Sequence, residues 1–244
     1  MSTSLFVNAI ILVIAGAIVV SVIILTRKLV RLRRLHQAEL TLLRLMISDA
    51  PFGDKLSAIC VLIEAQIDRA YASIMMVNPQ TATLSCVTSP SLPADFAQQL
   101  NGLPVAEGVG ACGTAAARNE AVIVKDMLTH EYFQSAQDMI RSYQLRACWS
   151  HPFSNQKGDV AGTFAVYFSQ PRLPKRYELK LIQQARDWVA LVLQQQHEQE
   201  RREASEAQML ILQRGIEASV NGIVIADARQ PGNPLVYINR LFAF

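Results

Sequence analysis

The residues of this 244-residue chain able to do chemistry gather in two motifs. One is EGVGACGTAAARNEAVIVKDM, from Glu107 to Met127, which carries Cys112 among Gly108, Gly110 and Gly113. The other is LRACWSHPF, from Leu145 to Phe153, which sets Cys148, Trp149 and His151 close together. Cys60 and Cys86 lie elsewhere, and no two cysteines form a CxxC pair. A disulfide scaffold and a zinc site both need such spacing, so free thiols remain. Packed as small apolar groups they are inert; beside a helix N-terminus a thiol becomes acidic and can read redox state.

Catalytic arrangements fail on their spacing. A phosphate-binding loop of the GxxxxGK[ST] type needs a lysine that EGVGACGTA lacks. No GxSxG elbow offers a serine nucleophile. His130 and Glu131 adjoin but lack the second histidine of HExxH, so a zinc hydrolase is excluded. His151 or His130 is available as an axial haem ligand, with no motif around either. The formal charge of +3 gives no reason to expect nucleic acid as a partner.

A binding pocket asks for less. Gly108, Gly110 and Gly113 suit a tight loop approached closely by a ligand, and a short helix beginning near Thr114 offers backbone N–H groups to a polar or anionic group. Trp149, Phe153 and Val166 supply apolar walls, while Thr114, Arg118 and His151 supply polar contacts. The predicted ligand site is therefore Gly108, Gly110, Cys112, Gly113, Thr114, Arg118, Cys148, Trp149, His151 and Phe153. It implies no particular cofactor, and it is not an enzyme's site.

GVGACGTAAARNEAVIV, then LRACWSHP, then GDVAGTFAVYF, together resemble the GAF domains of bacterial signalling proteins, from about Pro51 to Gln195. The resemblance implies a sensor of a small ligand or of redox state. The same residues also resemble the GAF-fold reductases of free methionine-R-sulfoxide, placing Cys112 at one of that family's redox cysteines. The attacking cysteine which that family carries after this position has no counterpart in MLTHEYFQSAQDMIRSYQ.

The elements that must hold these motifs follow from periodicity. Phe52–Arg69 reads as an amphipathic helix with Leu56, Ile59, Cys60, Ile63 and Ile67 on one face. Strands are expected over 72–77 and 82–88, joined by Asn78-Pro79-Gln80-Thr81, and over 121–124, 147–153 and 160–168, with a short helix over 94–100. A long helix starts near Lys175, carries Leu181, Ala185, Trp188 and Val192 on one stripe, and turns highly charged beyond Gln195. The fold class expected is α+β, an antiparallel sheet with the helices 53–69 and 175–195 on one face.

Outside this domain, Leu5 to Leu25 is nearly all apolar and about 30 Å long as a helix. Arg27, Lys28, Arg31, Arg33 and Arg34 follow it, predicting a single-pass anchor in the inner membrane with its N-terminus outside and the sensor in the cytoplasm. Leu35, Ala38, Leu42 and Leu45 continue as a short seam predicting a coiled-coil homodimer. The expected divisions are an anchor at 1–28, a stalk at 29–50, the sensor at 51–195, a helical linker at 196–214 and a last segment at 215–244. That last segment, with DARQPGNPLVYIN, resembles the opening of a PAS domain of the flavin-binding LOV branch and implies an incomplete domain. Proteins of this architecture continue to cyclic-di-GMP turnover or a histidine kinase; no such output signature occurs within these 244 residues.

Overall fold

The computed structural model describes residues 2–240, with side chains of the first helix described at Gly16 and from Ile18 onward except at positions 27, 28, 31, 32, 34, 35 and 38. The chain divides into two compact units, Met1–Leu193 and Gln194–Phe244.

In the first unit, helix α1 (Ser2–Ile47) is followed by α2 (Phe52–Gln66), β1 (Tyr71–Asn78), β2 (Thr83–Thr88), α3 (Ala94–Gln99), β3 (Leu103–Pro104), α4 (Gly110–Arg118) and β4 (Val122–Val124). A 3-10 segment (Glu131–Ala136) and α5 (Gln137–Ser142) lead to β5 (Ala147–Ser154), β6 (Val160–Phe168) and α6 (Arg176–Glu217). The strands form one sheet in the order β3-β2-β1-β6-β5-β4, with every neighbouring pair antiparallel.

Turn chemistry sets the registers. Asn78 Oδ1 accepts from the Gln80 N–H at 3.0 Å in the β1–β2 turn. Asn155 Oδ1 accepts from Lys157 and Asp159 N–H in the β5–β6 turn, where Gly158 takes the left-handed φ of 88°. Both are local side-chain caps that compete with continued strand and end it.

Alternation along the strands then splits the interior into two cores. Ala72, Ile74, Trp149, Phe153, Phe164, Val166 and Phe168 face α2 and α6, whose Leu56, Ile59, Ile63, Ile182, Ala185 and Val189 complete the first core. Met75, Leu84, Cys148, Ala165 and Tyr167 face the other way and meet Phe96, Cys112, Ala115, Phe133 and Ile140 in the second.

The expected membrane anchor is corrected. Among the described residues no helix is long and apolar enough to cross a membrane. The described α+β domain therefore carries no transmembrane element, and the single-pass inner-membrane placement is corrected with it. The rest of the apolar run, and Arg27, Lys28, Arg31 and Arg34 of the basic cluster, lie outside the described side chains. The stalk reading also shifts at Leu42, which is buried in the first core beside α2.

The second unit holds the remainder of α6 and a hairpin of β7 (Val224–Ala226) and β8 (Leu235–Ile238). Buried Asn239 organises it: Oδ1 accepts from Ile223 N–H, and Nδ2 donates to Ile216 O and Asn221 O. α6 runs through Gly215, where the sequence pattern predicted its end.

At the start of α6, Glu178 is 1% exposed and paired with Arg172. Removing one member of a buried pair strands the other charge, at a cost of about 3–5 kcal/mol. Arg172→Ala is expected to lower the unfolding free energy by roughly that amount in a denaturant titration. The double change Arg172→Met, Glu178→Gln should recover much of it. Equal losses in both variants would remove the ion pair from the account.

Candidate functional site

α4 is the element that brings the first motif to the sheet. Gly108 and Gly110 hold left-handed φ values of 83° and 55°, which suit glycine. Gly113 allows the helix to lie against β3, because a Cβ there would come within 2.5 Å of Pro104 O. Thr114 locks the loop from inside the helix. Its Oγ1 accepts from Gly108 N–H at 3.1 Å and donates to Gly110 O at 2.7 Å. The helix thus starts at Gly110 and not near Thr114.

Beneath α4 lies a buried polar cluster. Cys112 and Cys148 lie in the same core, and the Cys112 sulfur is 3.7 Å from Tyr167 Oη. Ser73 donates to Tyr167 Oη across β1 and β6 at 3.4 Å. Ser150 and Thr163 complete the cluster, and the hydroxyls of both are buried with no protein partner. The two thiols titrate unequally. The neighbouring Cys148 thiol, with the polar side chains of Ser150, Tyr167 and Thr163 behind it, outweighs burial and lowers Cys112 to about 6. Burial and the neighbouring Cys112 push Cys148 well up. Cys112 is also the third residue of α4, where the helix dipole favours negative charge.

Of the ten residues predicted to form one site, the structure gathers Gly108, Gly110, Cys112, Gly113, Thr114 and Cys148 around α4. Trp149 and Phe153 point through the other face of the sheet into the first core. His151 lies on that other side too, in a groove beside α6. Arg118 is on the rim, paired with Glu107 and 5.9 Å from the Tyr132 ring centroid. Val166, offered as an apolar wall, is also in the first core. Ser73, Ser150, Thr163 and Tyr167 were missed. The signal was available: in ACWSHPF and GTFAVYF every second residue shares a face with Cys148.

Cys112 held near 6 has a sign that can be checked. Its folded value lies below that of an unfolded thiol, so the stability it contributes is complete above the unfolded value. That contribution is lost as pH falls through about 6. Thiolate absorbance of the native protein should rise in one step near pH 6, vanish in Cys112→Ser, and move upward in Cys148→Ala, which removes the main donor. A step retained in Cys112→Ser would assign the acidic thiol elsewhere.

Relatives bear on the fold and, more coarsely, on the role. Over 110 residues the chain is 28% identical to a methyl sulfide methyltransferase-associated sensor of Methanosarcina acetivorans, a match covering 45% of this chain and 11% of that protein. The chain therefore spans about a tenth of that relative. The GAF domain of a phosphoenolpyruvate-protein phosphotransferase from Coxiella burnetii superposes with a TM-score of 0.55 at 17% identity, covering 70% of this chain and 96% of that one. The reduced form of fRMsr of Staphylococcus aureus superposes with a TM-score of 0.51 at 12% identity, covering 65% and 94%. The GAF domain model itself matches residues 53–193, more than half of the chain. On its fold, on the placement of its glycine loop and on this match, the chain belongs to the GAF domain family.

Proposed function

We propose that this GAF domain is the input module of a signalling protein and that its input is the oxidation state of the Cys112–Cys148 pair. The observation that supports this is the burial of two thiols in one core beside the Tyr167, Ser150 and Thr163 hydroxyls, one thiol poised to ionise first. A hydroperoxide is the class of oxidant that completes the chemistry. The Cys112 thiolate attacks one peroxide oxygen, the alcohol or water leaves with a proton, and a sulfenic acid forms. The Cys148 thiol then attacks that sulfur and water leaves. Two thiols have given two electrons to one O–O bond, and one disulfide joins α4 to β5.

The sensor named in the archaeal relative agrees with a signalling role. The message would pass along α6 to an output module, in the PAS-like segment at 215–244 and then in cyclic-di-GMP turnover or a histidine kinase. Leu40, Leu43 and Ile47, exposed on α1, offer a second copy of the chain an apolar strip for a homodimer. A second reading, a small polar ligand on the concave side of the sheet, is favoured by the unpartnered hydroxyls of Ser150 and Thr163. A reductase of free methionine sulfoxide is the reading we set aside: it shares the fold and Cys112, but the segment from Met127 to Arg146 holds no cysteine.

The full chain treated with hydrogen peroxide, then denatured and alkylated, is expected to yield one crosslinked peptide pair containing Cys112 and Cys148. Cys60 and Cys86 should remain alkylated, and Cys148→Ser should trap the sulfenic acid on Cys112. Peroxide treatment that leaves all four thiols free would sink the redox reading. Turnover of free methionine sulfoxide abolished by Cys112→Ser would replace it with the reductase.

A further inference from the structure

The His151 side of the sheet carries a second feature, unconnected with the thiols. β4 pairs with β5 only as far as Ser150, opposite Val122. β5 continues to Ser154, so β5 and α6 flank a groove at the sheet edge with a cavity volume of about 420 Å³. Asn119, His151, Ser154, Arg186, Asp187 and Ala190 are among its lining. A volume of this size fits a small metabolite.

The polar groups define the occupant. Arg186 is a permanent cation whose fork matches a carboxylate. Its partner is the adjoining Asp187, through a single 3.5 Å contact, and that carboxylate is 67% exposed. Neighbours in helical sequence do not face each other, which leaves the guanidinium able to take a bidentate partner. His151 Nε2 is buried and has no protein partner. Burial, and secondarily Arg186, push its imidazole down to about 4, so it is neutral in ordinary buffer. A neutral imidazole nitrogen either donates or accepts, and a hydroxyl can answer in either case. An ammonium group would be repelled by Arg186.

We propose that this groove is a binding site for a small hydroxylated carboxylate, its carboxylate on Arg186 and a hydroxyl on His151. The site lies on the opposite side of the sheet from Cys112. An occupant there bridges the end of β5 to the flank of α6, so binding is read directly by the helix that leaves the domain. It gives the protein a metabolite input separate from its thiols.

Isothermal calorimetry on the full chain tests this with gluconate as the probe. Hexanoate (charge without hydroxyls) and sorbitol (hydroxyls without charge) serve as the two controls. Gluconate is expected to bind at least about tenfold more tightly than either, the value of one charge-assisted or one neutral hydrogen bond in a partly buried site. Arg186→Gln, at a partly exposed position, should weaken gluconate about tenfold or more and leave sorbitol and gluconate alike. His151→Gln should shrink the gap between gluconate and hexanoate while both still bind. Cys112→Ser should change nothing, so this site and the thiol reading stand or fall apart. No gluconate heat at millimolar concentration, or an unchanged affinity in Arg186→Gln, would overturn the proposal.

Discussion

A single arginine holds the signalling side of this domain together. Arg172 sits between β6 and α6 and reaches five elements at once. Its guanidinium pairs with Glu178 at the start of α6 and lies 4.4 Å from the Phe168 ring centroid and 5.1 Å from that of Trp149. Its backbone N–H donates to Lys125 O beyond β4, its carbonyl accepts from Trp149 Nε1, and Nη1 reaches Asp68 O past α2. Glu178 is itself satisfied further by Lys175 N–H at 2.8 Å and the Tyr177 hydroxyl at 3.2 Å. A carboxylate this buried is tolerable only with every partner present. That requirement fixes where α6 begins and which way it leaves the sheet.

The second core obeys a different constraint. Burial by itself would keep both thiols neutral, as it does for Cys60, pushed well up by its apolar surroundings. What distinguishes Cys112 is the set of polar side chains around it on β5 and β6, at positions where neighbouring strands place Cβ atoms close together. A polar cluster inside an apolar core costs stability wherever a hydroxyl lacks a partner, as Ser150 and Thr163 do. Such unspent bonding capacity is a usual mark of a functional region of a fold.

Much of the domain was legible in sequence because its elements obey local rules. Strand 160–168 is where its apolar run and the Asn155–Asp159 turn put it, and the hairpin after β1 turns on Asn78. The site was legible only in half. Proximity in sequence suggested that Cys148, Trp149, His151 and Phe153 act together, whereas the pleat sends Cys148 to one core and the other three to the opposite side. Ser73 lies on β1, whose partner β6 is distant in sequence, so no spacing motif announces it, whereas Thr163 and Tyr167 share the alternation of the β5–β6 hairpin. Arg186 was absent from the reading for a similar reason: on a helical wheel it is one more charge on a solvated flank, and only the early end of β4 makes a groove beside it. The apolar N-terminal run and its basic flank suggested an anchor by composition, whereas no helix among the described residues is long and apolar enough to cross a membrane.

The pleat of β5 has a consequence for how such domains diversify. Positions 148 and 150 face the polar cluster around Cys112, and 149 faces Arg172 near the start of α6. Substitutions at 148 and 150 can therefore alter the thiol cluster while Trp149 keeps its packing against Arg172. Selection can explore new inputs without relearning how to report them, and that separation is written into one strand as a matter of parity.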